Sequence, residues 1–119
     1  MAEITLQNIY DCYAYGKRVA EGELDNGTAA KNVARTGMDE GSAQIYIRCV
    51  RSMIRGERYT GTVKEIAVSR FLTNIMSDYG FEGLRRALNS LRMHLDYQKA
   101  YNTLTGLEKI YQEFLDVLP

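Results

Sequence analysis

The stretch from Gly37 to Gly56, GMDEGSAQIYIRCVRSMIRG, decides the fold. Ala43, Tyr46, Ile47, Val50, Met53 and Ile54 recur three and four residues apart, the spacing that lines up side chains on one face of a helix. Gln44, Arg48, Arg51 and Arg55 follow at i, i+4, i+7 and i+11 on another face, so one helix carries a core-facing side and a row of three guanidiniums. The planar guanidinium fork suits bidentate contact with phosphates or guanine edges, which makes an anionic polymer the first partner to consider. A plain solvated face is the alternative, because surface helices ordinarily set charge opposite an apolar stripe.

Working outward, Asp39 is placed to cap this helix and Gly56 to end it. Upstream, Asp25 to Thr28 offers a turn and cap before a short helix over about Thr28–Arg35, closed by Gly37. Before that, Thr5 can cap a first helix whose Leu6, Ile9, Tyr10, Tyr13 and Ala20 share a face and which Gly22 ends. Downstream, a loop GERYTG leads into TVKE, where Thr62 and Glu65 have capping-box spacing. The helix that follows turns Val63, Ile66, Ala67, Phe71, Ile75 and Tyr79 inward and stops at Gly80. Residues 81–83 then form a tight junction to a helix with Leu84, Ala87, Leu88, Leu91 and Leu95 inside. On its other face stand Arg85, Asn89 and Arg92, with Arg86 adjacent. Thr105 and Glu108 repeat the capping-box spacing ahead of a last helix with Leu107, Ile110, Tyr111, Phe114, Leu115 and Leu118 inside.

Strand-like alternation is nearly absent, and the one proline is residue 119. The pattern predicts an all-α, compact bundle of five to six helices forming a single domain over 1–119. Residues 28–55 also match a helix-turn-helix-like pair: a small-residue helix, a Thr-Gly-apolar turn, then Ser-Ala opening the next helix. In that arrangement Gly41, Ser42 and Gln44 would lie near base edges, with Arg48 and Arg51 further along the groove. Of nine tyrosines, Tyr10, Tyr13, Tyr46, Tyr79 and Tyr111 fall on core faces, whereas Tyr15 and Tyr59 read as exposed and able to stack on a base.

Formal net charge is zero, with 15 basic and 15 acidic residues. The charges are unevenly placed: from Arg48 to Arg92 there are nine Arg or Lys against four acids, so the middle is basic and the ends are acidic. Chemistry is sparse by comparison. His94 is the one histidine, and it sits beside the Leu91/Leu95 stripe, where a packed, hydrogen-bonded role is the expectation. Cys12 and Cys49 show no metal or redox spacing and read as small buried residues. GERYTGT lacks the Lys-Ser/Thr ending of a phosphate-binding P-loop. These features predict no catalysis by this chain, no cofactor and no metal. The amino-terminal residues do not read as a signal peptide, and no segment has the roughly 20 apolar residues of a membrane span; a reducing, cytoplasmic setting is expected.

Three strings, IYDCYAYGKRVAEGEL, GMDEGSAQIYIRCVRSMIRGERYTGTV and FLTNIMSDYGFEGLRRALNSLRMHLDY, resemble an all-helical module joined to His-Asn-His endonucleases and other bacterial restriction-type proteins. The resemblance covers about Ile9 to Tyr97; the tail after Tyr101 lies outside it, and Thr60-Gly61-Thr62 replaces an expected basic residue before the Thr. It implies an auxiliary or target-recognition role in cleaving foreign DNA, with cleavage supplied by another domain or subunit. It carries no ligand residues, so the candidate DNA-binding set rests on the two stripes: Gln44, Arg48, Arg51, Arg55, Arg85, Arg86 and Arg92. The competing expectation is a protein-interaction module, whose basic middle pairs with the acidic part of a second copy as a homodimer or docks onto a larger assembly.

Overall fold

A computed structural model describes residues 3–100 and 104–119, so Tyr101 lies outside the described residues. They form five helices and no strand: α1 Leu6–Ala20, α2 Asn26–Ala34, α3 Glu40–Arg55, α4 Glu65–Gln98 and α5 Thr105–Leu115. The radius of gyration, 13.4 Å, matches the roughly 13.5 Å expected of a compact domain of this length.

Local chemistry starts the first three helices. Thr5 and Asn8 form a reciprocal capping box, each side-chain oxygen accepting the other residue's backbone N–H at 3.0 Å. Asp25 accepts the Thr28 N–H at 2.6 Å and Asp39 the Ser42 N–H at 2.9 Å, satisfying donors that have no partner inside their helices. Gly56 ends α3 in the left-handed region, φ 74°, where a side chain is disfavoured.

Packing centres on α3, which touches α1, α2 and α4. Its inner face buries Ala43, Tyr46, Ile47, Val50, Met53 and Ile54, as the periodicity requires. α1 crosses α3 closely at Gly16: a methyl group placed there would lie 2.6 Å from Val50 Cβ. Phe71 of α4 fills the centre, edge-on to Tyr46 and stacked on Tyr13, with ring centroids 6.4 Å apart in both pairs. α5 packs on α4 alone among the helices and buries Leu107.

A straight helix of the length of α4 would run about 51 Å, yet the longest axis of the molecule is 38 Å. The break lies at Gly80, where φ 69° and ψ −164° interrupt the helical geometry before it resumes at once. The stop at Gly80 is therefore where the sequence placed it. Hydrogen bonds from the Tyr13 hydroxyl to Asp78 and from the Tyr79 hydroxyl to Glu21 tie α1 to this bend.

Several sequence expectations are corrected. Thr62 caps nothing, because Val63 is drawn into the core and holds the chain extended until α4 begins at Glu65. The Lys64 N–H is satisfied instead by the Tyr46 hydroxyl at 3.1 Å. Thr105 lies inside α5, whose cap position, Leu104, makes no side-chain bond, and Glu108 is turned toward α4. Leu6, Tyr10 and Ile66 face solvent, and Tyr59 is buried. Both cysteines are buried, and burial pushes the Cys12 thiol up to about 12. No helix of the described residues is long and apolar enough to cross a membrane.

Candidate nucleic-acid interface

The seven stripe residues do not share one surface. Arg55 turns back onto the carboxyl end of α1, its Nε and an Nη donating to the Ala20 carbonyl at 3.3 and 3.2 Å and the same Nη to that of Val19 at 3.5 Å. A cation there complements the helix dipole and satisfies carbonyls left open at the helix end. Arg86 does the equivalent at the end of α3, donating through Nε to the Ile54 carbonyl at 3.2 Å. Arg85 pairs with Glu82 one turn away at 3.1 Å. Arg92 is the most heavily engaged: it makes two bonds to Glu108 at 2.8 and 3.0 Å, two more to Asp96, and its guanidinium lies over the Tyr111 ring. Those contacts hold the Glu108 carboxyl below its ordinary value. Gln44 is half-buried on α3.

Arg48 and Arg51 remain. Among the described residues neither forms an ion pair, Arg48 is exposed, and Arg51 Nε is buried with no hydrogen-bond partner. A third arginine, outside the seven, joins them. After Gly56 the chain reverses and residues 57–64 run back beside α3, carrying Arg58 to the same place. Together Arg48, Arg51 and Arg58 line a cleft of about 230 Å³ whose other walls are Ile45, Ser52, Tyr59, Thr60 and Gly61. Among the described residues no carboxylate lines it.

The returning segment is held by α4. Tyr59 is buried with its ring stacked on that of His94, centroids 4.0 Å apart, and His94 Nδ1 lies 2.8 Å from the Tyr59 carbonyl. Ser90 Oγ donates to the Glu57 carbonyl, and the Gln98 amide to that of Thr60 at 3.4 Å. Burial lowers the His94 pKa, partly offset by the Tyr59 carbonyl, and so favours the neutral ring. His94 is thus the packed, hydrogen-bonded residue its place in the leucine stripe suggested. Arg58 lies over the Tyr97 ring, 4.7 Å from its centroid.

The amino end of α3, where a helix-turn-helix reading puts base contacts, carries exposed Asp39 and Glu40 and follows a five-residue turn, 35–39. Two carboxylates there oppose phosphate, and the cationic locus sits further along the same helix. Arg58 escaped the sequence reading because it belongs to a loop with no period to place it; the reversal at Gly56 was the available signal.

Compared with models of protein families, with curated proteins and with solved structures, the chain matches none. Fold and cleft together define it as an all-α domain with a concentrated, unopposed cationic recess.

Proposed function

We propose that this chain is a non-catalytic, nucleic-acid-binding module, acting in target recognition for a restriction- or defence-type endonuclease whose cleavage chemistry lies in another domain or subunit. One observation carries the reading: three arginines converge on a cleft without a carboxylate, and one of them keeps a buried nitrogen unpartnered. Guanidiniums that serve only the fold find acceptors, as Arg55, Arg86 and Arg92 do here. Charge left uncompensated in a recess suits a polyanion. The sequence resemblance to endonuclease-associated modules supplies the setting. Gel shifts at two salt concentrations with duplex, single-stranded and methylated DNA test it. Binding that weakens with salt and is lost in an Arg48→Ala/Arg51→Ala/Arg58→Ala variant is expected; unchanged binding in that variant refutes it.

A second reading, protein docking, draws on another surface. Leu6 and Tyr10, 59% and 63% exposed, stand one turn apart on α1 beside Arg70 and Asn74 of α4. Light scattering separates the two: a dimer that ignores DNA and dissociates when Tyr10 is changed to Ser would favour docking.

A further inference from the structure

We propose that the Arg48/Arg51/Arg58 cleft receives the terminal phosphate monoester of a nucleic-acid strand and not a phosphodiester within it, an inference that rests on the nucleic-acid reading above. The other arginines of the stripes are engaged by carbonyls or carboxylates of the chain itself, so what remains of the stripes, joined by Arg58, is a single locus of three positive charges, not a track along which successive phosphates could lie. A phosphodiester offers one negative charge and two free oxygens. A terminal phosphate offers close to two charges and three strong acceptors, enough to engage all three guanidinium forks.

The shape agrees with an end-on ligand. The cleft's 230 Å³ is roughly the space of eight water molecules in the liquid, room for a phosphate and part of its sugar. One side is closed where the returning segment meets α3: a methyl group placed on Gly61 would lie 2.5 Å from Ile45 Cγ2. Both residues line the cleft and narrow it on that side. Arg58 is steadied by its contact with the Tyr97 ring, 4.7 Å from guanidinium carbon to centroid. Ser52 and Thr60 also line the walls.

The test is fluorescence anisotropy of internally labelled 12-nucleotide single strands and duplexes carrying a 5′-phosphate, a 3′-phosphate or hydroxyls at both ends, with inorganic phosphate as competitor. Expected is at least tenfold tighter binding of one phosphorylated end, reversed by millimolar phosphate. That preference should shrink to twofold or less in Arg51→Lys and in the exposed-site variant Arg48→Ala, each checked for a native circular dichroism spectrum. Equal affinity for all ends, with binding still lost in the triple-alanine variant, overturns this inference and leaves the nucleic-acid reading standing. Absence of binding to every oligonucleotide overturns both.

Discussion

Replacing Arg51 by Met separates a residue kept for a ligand from one kept for the fold. The Met side chain retains the apolar stem and has nearly the same helix propensity, so α3 itself is little affected. What disappears is a buried Nε without an acceptor and repulsion from Arg48 and Arg58 across the cleft. A fully desolvated unpaired polar group costs about 1–3 kcal/mol. Arg51 is only half-buried and exposed charges are screened, so a net gain of about 1 kcal/mol is expected. With an unfolding entropy of about 2.1 cal/mol/K per residue, that raises the melting temperature by roughly 4 °C. Thermal and urea denaturation followed by circular dichroism would measure the gain, and anisotropy on the same sample would show nucleic-acid affinity falling. Salt should narrow the stability gap by screening the repulsive part while leaving the desolvation part. A variant less stable than the parent by about 1 kcal/mol, or one that binds as well, would make Arg51 a structural residue and sink this reasoning.

Arg55→Ala removes the donors at the end of α1 and should cost about 0.5–1 kcal/mol in urea denaturation, while nucleic-acid affinity changes less than twofold. The Arg92–Glu108 pair makes the docking of α5 pH-dependent: the folded Glu108 pKa lies below its ordinary 4.5, so this stabilisation is complete above about 4.5 and fades as pH falls through the lowered value. Both groups are partly solvated, so the effect is small; hydrogen exchange should report α5 amides losing protection in acid, and Arg92→Ala should abolish that dependence. Gly80→Ala forces a side chain into a conformation essentially reserved for glycine and should destabilise the protein by about 1–3 kcal/mol, measurable by calorimetry.

The fold was legible wherever local chemistry decides. Thr5, Asp25, Asp39 and Gly56 act within one turn of their own backbone, and the α3 stripe reports a helix whose core face is nearly continuous. Elsewhere tertiary contacts won. Thr62 has the spacing of a cap, yet Val63 gains more by entering the core, and a hydroxyl 18 residues away supplies the missing acceptor. Tyr59 sits in a polar loop that reads as exposed, but stacking on His94 and the bonds from Ser90 and Gln98 pull that loop onto α4.

The candidate site was half legible for the same reason. Periodicity finds the face that Arg48, Arg51 and Arg55 share, but not the carbonyls at the end of α1 that claim Arg55, nor the chain reversal that brings Arg58 in its place. The second stripe fails as a surface because α5, whose docking no local pattern announces, sets Glu108 against Arg92.

The most direct measurement is the salt dependence of binding to a labelled duplex, for the parent chain and for Arg48→Ala/Arg51→Ala/Arg58→Ala. Neutralising one terminal phosphate of close to two charges implies a slope of about −1.8 in log affinity against log salt, or roughly 12-fold weaker binding at 200 mM than at 50 mM. The expected result is that slope in the parent, with a flat response and at least tenfold weaker binding at low salt in the triple variant. Equal slopes and affinities in the two proteins would contradict a polyanion-binding role for the cleft.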